Sequence, residues 1–361
     1  MSQRWRWIDS GVLTPHENLA LDSILVQSQA RDGMPPTFRV FQVSSPTVLV
    51  GYHQMTGIEL YRPFCEQKGI AINRRLTGGG AVYLDPGQLG WELICRKDAI
   101  ACPKSFEAIL PWVSRGVVLG LSRFGIQAGF QPRNSIQASG KALSPVVGLI
   151  EGETVLFQGI LFLDDDLETM VQALQIPLQK LSKKEMERAR GRVTSLKNEV
   201  GMPLPADVVK QAIRKGCEEA FGISFIEGDG LSFDEQTLLP KETERIRGTD
   251  WVYRIPEGNR VEAETLRAVY KANGNLLRIG IKVDLARKRI QGGLIAGDIM
   301  VSPQSALSDL EERLRGTPLD GYREVITRFF EECKPDILSL SAQDFIQAID
   351  KALSRLVFYE F

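Results

Sequence analysis

The sequence contains few histidines, no closely paired cysteines and no long apolar runs. Each of these features excludes or disfavours a class of site or structure. Only two histidines are present, His16 and His53, so a three-histidine metal site is excluded and imidazole catalysis would need one of these two. The five cysteines are widely spread without a C-x-x-C pair. This spacing argues against a zinc ribbon or a disulfide framework and is typical of reduced thiols.

Membrane-spanning and secretory features are also missing. No segment approaches the roughly 18 consecutive apolar residues of a membrane span, and residues 1–9 contain no apolar core of a signal peptide. The 44 Lys and Arg residues nearly balance the 45 Asp and Glu residues, leaving a formal charge of −1. We therefore expect a cytoplasmic protein that has no nucleic-acid or membrane partner.

The chain of 361 residues is longer than most single domains, so the sequence predicts two domains, residues 1–246 and 247–361. Helix-like and strand-like segments are mixed without strict alternation, which predicts an α+β fold. The predicted helices are 17–27, 105–124, 165–174, 206–221, 306–315, 322–333 and one that starts after Ser341. Ahead of the first helix, Thr14 offers an N-cap and Pro15 a proline at the first helical position. The predicted strands are 37–42, 47–52, 71–73, 81–84, 89–95 and 155–162, with a hairpin of 276–283 and 289–295 after a turn-rich stretch at 247–259.

The run from Arg74 to Val82 is the most informative segment, because it contains three consecutive glycines, Gly78, Gly79 and Gly80. Glycine lacks Cβ and lets other groups approach the backbone amides closely. Amides beside two guanidinium groups suit an anionic ligand. The run is neither a P-loop nor a G-x-G-x-x-G fingerprint. Alone, it also fits a simple turn between two strands.

Two further segments make the pattern more specific. Asn134 begins a polar stretch that ends in the pair Gly140-Lys141, and residues 190–196 read R-G-R-V-T-S-L. A Gly-Lys pair on its own is usually a solvated turn.

Together, these three segments resemble the lipoate–protein ligase family, which is grouped with biotin protein ligases and octanoyl transferases. Residues 74–85 match the form R-R-x-[ST]-G-G-G-A-V-[FY]-x-D, residues 190–196 match R-x-R-V-T-x-L, and Asn134 and Lys141 match part of a third motif. The resemblance implies a catalytic core with a mixed, largely antiparallel sheet and a small α+β C-terminal accessory domain. In the family, this accessory domain closes over the catalytic domain and is repositioned after adenylation.

The resemblance also implies an activity. Family ligases use ATP and Mg²⁺ to convert lipoate or octanoate into an acyl-adenylate. They then transfer the acyl group to a lysine of a lipoyl carrier, either the E2 subunit of a 2-oxoacid dehydrogenase or the glycine cleavage H protein. Lys141 would be catalytic, lying between the carboxylate and the α-phosphate. The implied substrate- and nucleotide-binding residues are Arg74, Arg75, Thr77, Gly78, Gly79, Gly80, Ala81, Val82, Tyr83, Asn134 and Lys141. No metal ligand is implied by a matching residue.

Four positions differ from the family pattern: Ser135 replaces an aspartate, Pro145 falls in a segment that usually reads S-G-x-A, Gln158 replaces a histidine and Gln88 replaces an asparagine. Two other functions stay open, an ATP-independent lipoyl or octanoyl transferase and a non-catalytic lipoyl-binding homologue. Transferases that use an acyl-enzyme place a cysteine near the lysine segment. Residues 125–160 contain no cysteine, so Cys95 or Cys102 would have to serve from a distance.

Overall fold

The architecture is that of a computed structural model, which describes residues 3–31, 34–99, 103–164, 166–174, 187, 190–226, 230–255 and 265–358. Cys102 and Asp165, which the sequence analysis named, lie outside these residues. Within them, no helix is long and apolar enough to cross a membrane.

Strands from the first 226 residues form one large and one small sheet. They are β1 (Gln3–Leu13), β2 (Thr37–Val43), β3 (Thr47–Val50), β4 (Ala71–Arg74), β5 (Val82–Leu84), β6 (Gln88–Arg96), β7 (Ala128–Gln131), β8 (Ser135–Ala138), β9 (Lys141–Glu151), β10 (Thr154–Phe162) and β11 (Ile223–Ile226). The large sheet has the order β11-β1-β2-β6-β10-β9-β8-β7. Only the β11–β1 and β1–β2 pairs are parallel, so this sheet of the described chain is mixed and largely antiparallel, as predicted.

Helices cover both faces of the large sheet. The helices up to residue 252 are α1 (Pro15–Gln29), α2 (Thr56–Glu59), α3 (Arg62–Lys68), α4 (Phe106–Ser122), α5 (Leu167–Leu174), α6 (Leu196–Val200), α7 (Ala206–Phe221), α8 (Phe233–Arg247) and α9 (Thr249–Val252). Burial on both faces explains why every residue of β10 is buried and why its sequence is a nearly continuous apolar run.

The start of α1 confirms the signals read from the sequence. The Thr14 hydroxyl accepts a hydrogen bond from the Glu17 amide, and the Glu17 carboxylate accepts one from the Thr14 amide, completing a capping box with Pro15 in the first turn. This cap fixes the direction in which α1 crosses the sheet, with Asn18, Leu19 and Asp22 buried.

The small sheet has the order β4-β3-β5 and holds the glycine-rich run. Strand β3 pairs in parallel with β4 and antiparallel with β5, so residues 75–81 connect its two outer strands. Side chains alternate along β5: Val82 and Leu84 face an apolar cavity, whereas Tyr83 packs into a separate cluster with Val48 and Phe64.

The C-terminal part of the chain has its own core. It comprises β12 (Thr265–Ala272), β13 (Asn275–Asp284), β14 (Arg289–Gly297), α10 (Ala306–Leu314), α11 (Tyr322–Cys333) and α12 (Ala342–Leu353), with short strands β15 (Val301–Ser302) and β16 (Asp336–Ile337). The predicted hairpin is confirmed as β13 and β14. Strand β12, which the sequence analysis missed, pairs with β13 to complete a three-stranded sheet.

The prediction of turns around residue 247 is wrong, because α8 extends to Arg247 and α9 follows at once. The α9 backbone binds the first part of the chain: the Trp251 and Val252 carbonyls accept hydrogen bonds from Arg74. The division into domains at residue 246 remains a prediction. We propose moving this boundary beyond Tyr253, since the α9 backbone binds Arg74 of the predicted catalytic domain.

Candidate functional site

The glycine-rich loop, residues 75–81, packs closely between β9 and the C-terminal part of the chain. A Cβ on Gly79 would lie 2.9 Å from Cγ1 of Val147, and a Cβ on Gly78 would lie 2.2 Å from the Ile299 carbonyl oxygen. Gly79 also has a φ of +87°, which favours glycine. The Gly79 amide donates to Ile299 O at 3.1 Å. The glycines therefore allow a close approach, but here by protein backbone, whereas the sequence analysis expected a ligand.

Arg74 has its guanidinium group buried in the protein. It donates to the carbonyl oxygens of Gly51, Tyr52, Gln54, Trp251 and Val252 and to the Thr56 hydroxyl. In return, the Trp251 indole donates to the Arg74 carbonyl at 2.9 Å. These bonds fix the turn after β3 and the position of α9. A contact with a nucleotide, as the resemblance implies for Arg74, would have to compete with them.

Arg75 holds the glycine-rich loop in place through hydrogen bonds, and its side chain also borders a cavity. Its Nη2 donates to Gly78 O at 3.1 Å and to Gly80 O at 2.8 Å, while Nη1 donates to Leu49 O at 2.7 Å. Burial lowers the pKa of Arg75 to about 10, and the neighbouring charge of Arg74 acts in the same direction. The side chain therefore stays charged at neutral pH.

The cavity beside Arg75 is narrow, with a volume of about 30 Å³ and mostly apolar walls. Its lining includes Leu19, Phe41, Leu49, Val82, Val147 and Ile160, which come from α1, β2, β3, β5, β9 and β10. We name it the acyl pocket. Its apolar lining suits a hydrocarbon chain, and its walls would have to move apart to admit one, because ligand pockets usually exceed about 300 Å³.

A row of buried polar groups closes one wall of the acyl pocket. Arg39, Glu92 and Gln158 lie opposite one another on adjacent strands β2, β6 and β10. Arg39 Nη1 lies 2.7 Å from Oε1 of Glu92 and 2.9 Å from Oδ1 of Asp22. Burial raises the pKa of Glu92 to about 8, with the charge of Asp22 adding to the effect. Burial also raises the pKa of Asp22.

Lys141 directly follows a tight hairpin turn between β8 and β9. The two turn residues, Ser139 and Gly140, have φ values of 51° and 74°, as a two-residue turn of type I′ requires. Asn134 lies at the opposite end of this hairpin, where its carbonyl accepts a hydrogen bond from the Val146 amide. The structure thus separates Asn134 from Lys141 along the hairpin.

The segment of residues 190–196 lies beside Lys141. The Ala142 amide donates to Arg192 O at 2.8 Å, and the Thr194 amide donates to Ala142 O at 2.9 Å. Glu199 links the two segments, because its carboxylate accepts hydrogen bonds from the hydroxyls of Ser139 and Thr194. These hydrogen bonds hold residues 190–196 next to the turn that precedes Lys141.

Lys141 borders an open polar cleft and not the acyl pocket. The cleft has a volume of about 470 Å³ and is lined by Lys141, Asp166, Leu167, Glu168, Arg190, Val193, Thr194 and Asn198. Val193 belongs to this lining and also packs against the apolar cluster that includes Leu19, Leu49 and Ile160 of the acyl pocket. Val193 thus connects the cleft with the cluster around the pocket.

The sequence analysis missed the buried partners of these residues. Asp22, Arg39 and Glu92 are separated widely along the chain, and α9 was mistaken for turns. Arg39 and Glu92 did leave a signal, since each is a charged residue inside an apolar strand. Such residues are almost never fully buried unless they are paired.

Comparison with known proteins now places the chain in a family. The model of the lipoyl protein ligase A/B catalytic domain matches residues 14–218, more than half of the chain, so the protein belongs to this family. Lipoate–protein ligase 1 of Staphylococcus aureus is 25% identical over 310 residues, which cover 85% of this chain and 88% of that protein. Octanoyltransferase LipM of Kyrpidia tusciae is 26% identical over 274 residues, covering 70% and 99%.

Solved structures show the same fold. The structure of Plasmodium falciparum LipL1 in complex with lipoate has a TM-score of 0.66 at 17% identity and covers 90% of this chain and 94% of that chain. Lipoate–protein ligase A bound with ATP has a TM-score of 0.59 at 22% identity, covering 70% and 99%. The core therefore has the biotin/lipoate ligase fold.

Proposed function

We propose that this protein is an ATP-dependent ligase that activates lipoate or octanoate and transfers it to a lysine of a lipoyl carrier domain. The main observation is that Val193, which lines the polar cleft beside Lys141, also packs against the apolar cluster that forms much of the acyl pocket. An acyl chain in the pocket and phosphates in the cleft would bring the reacting groups together near the boundary.

The first reaction joins two anions. A carboxylate oxygen attacks the α-phosphorus of ATP, an acyl–O–P bond forms, and the bond to pyrophosphate breaks. Lys141 and Arg190 line the cleft, and we assign Lys141 the role of stabilising the negative charge between the carboxylate and the α-phosphate. In the second reaction, the carrier lysine attacks the acyl carbonyl carbon, giving an amide and AMP.

We assign no protein ligand to Mg²⁺ in this proposal. Among the residues that the structure describes, no group of three or more His, Cys, Asp or Glu side chains could hold a metal. Ser135 also replaces the aspartate of the family motif. Mg²⁺ usually binds nucleotide sites through phosphates and water together with one or two carboxylates.

The match to lipoate–protein ligase 1 of S. aureus extends over more of this chain than the match to octanoyltransferase LipM of K. tusciae does. The match to octanoyltransferase LipM leaves 30% of this chain unmatched while covering 99% of that protein. The matches to S. aureus lipoate–protein ligase 1 and to the lipoate-bound LipL1 extend over 85% and 90% of the chain. No cysteine lines the acyl pocket or the cleft among the described residues.

A carrier domain is the proposed acyl acceptor. One structural neighbour is the bipartite lipoate protein ligase of Thermoplasma acidophilum, which was described together with its E2 lipoyl domain. By analogy, we propose the lipoyl domain of a 2-oxoacid dehydrogenase E2 subunit or the glycine cleavage H protein as the partner.

Pyrophosphate release tests the proposed function directly. Wild-type protein with ATP, Mg²⁺ and lipoate or octanoate should release pyrophosphate only when the acid is present. Lys141→Ala should lower the rate by about 10²–10³-fold, whereas Lys241→Ala, at an exposed lysine on α8, should match the wild type. No acid-dependent release would refute ATP-dependent activation.

Octanoyl transfer without ATP is the second candidate, because several relatives, including that of K. tusciae, are octanoyltransferases. Incubation with an octanoylated carrier and an unmodified lipoyl domain, without nucleotide, distinguishes the two. Transfer under these conditions would favour the transferase. Neither transfer nor pyrophosphate release would leave a non-catalytic lipoyl-binding protein.

A further inference from the structure

The wall of the acyl pocket contains a connected series of hydrogen bonds that ends at Arg75. Arg75 Nε donates to the Thr77 hydroxyl at 3.2 Å, and that hydroxyl donates to Oε1 of Gln158 at 2.7 Å. Gln158 Nε2 in turn donates to Oδ2 of Asp22 at 3.1 Å and to Oε2 of Glu92 at 3.4 Å. The direction is set from the Arg75 end, because the guanidinium group only donates and the Thr77 hydroxyl therefore uses its own proton for Gln158 Oε1.

The charges at the far end of this series do not balance if both acids are ionised. The side chains of Asp22 and Glu92 are 2% and 0% exposed, and Arg39, which contacts both, is 0% exposed. Among the described residues, Asp22 on α1 and Arg39 on β2 are the charged groups that face Glu92, and Gln158 on β10 is a neutral amide. The buried cation Arg75 also attracts Asp22, but its own hydrogen bonds go to the glycine-rich loop and Leu49. Two buried negative charges that share one hydrogen-bonded cation, Arg39, would be costly, and retaining a proton avoids this cost.

We propose that Asp22 and Glu92 share one proton and that this pair, acting through Gln158 and Thr77, positions Arg75 and keeps the acyl pocket receptive to an apolar acid. Glu92 and Thr77 do not line the pocket, whereas Asp22, Gln158 and Arg75 do. Glu92 and Thr77 are therefore positioning residues. The inference rests on the proposed function, since it assumes that the pocket binds the acyl chain of the substrate.

The chemical consequence concerns the pocket wall. Loss of the shared proton would place a second negative charge behind Asp22 and Gln158. Water would be held more strongly in the pocket, and a ligand carboxylate would be repelled. The same charge would draw the Gln158 amide towards Glu92 and away from the Thr77 hydroxyl that orients Arg75. Binding of a fatty acid should therefore require the protonated pair.

Calorimetric binding of octanoate to the full-length protein without ATP tests this inference between pH 6.5 and 9.5. Because the pKa of Glu92 is about 8, wild-type affinity should fall by about tenfold for each pH unit above that value. Glu92→Gln is neutral, as the protonated acid is, and can still accept from Arg39, although its amide nitrogen replaces the oxygen that accepts the 3.4 Å bond from Gln158. It should bind as the wild type does at pH 7 and keep that affinity at pH 9.5.

Thr77 provides the second arm of the test. Thr77→Val has nearly the same shape without the hydroxyl and should bind octanoate about tenfold more weakly at pH 7. Thr77→Ser keeps the hydroxyl and should bind like the wild type. Thermal unfolding of both variants would show that the protein remains folded.

The outcomes separate this inference from the proposed function. If the wild type binds octanoate and Glu92→Gln weakens with pH in parallel, or Thr77→Val binds normally, the shared proton or the series through Thr77 is refuted while the ligase proposal stands. If Glu92→Gln fails to fold, the site needs an ionised carboxylate and the shared proton is again refuted. If the wild type binds neither octanoate nor lipoate, the proposed function fails as well.

Discussion

The amide of Gly79 donates a hydrogen bond to the carbonyl oxygen of Ile299, joining the glycine-rich loop to the C-terminal part of the chain. The Gly297 amide donates to His53 O at 2.9 Å, and Gln54 binds the Asp298 carboxylate. An ion pair of Arg278 and Glu59 at 2.8 Å adds to this interface. A nucleotide that needs the Gly79 amide must therefore displace residues 297–299 or bind around them.

We predict that Gly78→Ala separates these two parts of the chain. A Cβ on Gly78 would lie 2.2 Å from Ile299 O, whereas a Cβ on Gly80 would lie 3.7 Å from Asp298 Cγ, an ordinary contact. Gly78→Ala should lower the free energy of unfolding by about 1–3 kcal/mol and speed hydrogen exchange at residues 297–300. Gly80→Ala is the matched control, and equal exchange in both variants would contradict the prediction.

The contact at Asp298 should depend on pH. Burial raises the pKa of Asp298 to about 6, and the negative charge of Glu59 acts in the same direction against Gln54, Arg278 and Arg75. The folded state thus binds this proton more tightly than the unfolded state, and the corresponding stability is lost as pH rises from about 4 through 6.

Asp298→Asn removes this titration while keeping an acceptor for Gln54. We expect the free energy of unfolding of the variant, relative to wild type, to increase by about 1–3 kcal/mol between pH 4 and pH 7. Urea unfolding at several pH values measures the difference. A constant difference over this range would mean that Asp298 has the same pKa in the folded and unfolded proteins.

Local signals in the sequence predicted the regular elements best. Thr14 and Pro15 located the start of α1, and α7 and α11 have the predicted bounds because their apolar residues repeat with helical spacing. Helix α8 was missed because it is polar and contains Pro240, although its capping box at Ser232 and Glu235 was readable. The polar composition of this segment argued against a helix, and the capping box alone did not outweigh it. In the folded protein, packing stabilises the helix that the cap begins.

The site itself was only partly predictable. Three motifs identified the glycine-rich loop and Lys141, but no sequence pattern states that Arg39 meets Glu92 and Asp22 across 53 and 17 residues. Nor does a pattern show that the Gly79 amide is already bonded to Ile299. Such pairings arise from strand register and from docking, which depend on the whole fold.

Arg74 should contribute more to the free energy of unfolding than an exposed arginine does. Arg74→Lys keeps the charge but cannot reach Gly51 O and Val252 O at once, as the guanidinium group does. We expect the free energy of unfolding to fall by about 3 kcal/mol. Arg328→Lys, at an exposed pair with Glu324, should change it by less than about 0.5 kcal/mol. Equal, small effects in urea unfolding would show that the Arg74 bonds add little.

The acyl pocket should select its ligand by chain length. Its walls are mostly apolar, and burying each methylene contributes about 0.8 kcal/mol, or roughly fourfold in affinity. Affinity should therefore rise about fourfold per carbon from butanoate to octanoate, measured calorimetrically with Lys141→Ala to prevent turnover. Ile160→Trp, which places a larger side chain at the pocket wall, should weaken octanoate and leave butanoate unchanged. An affinity that does not depend on chain length, or an equal loss for both acids in Ile160→Trp, would show that the acyl chain binds elsewhere.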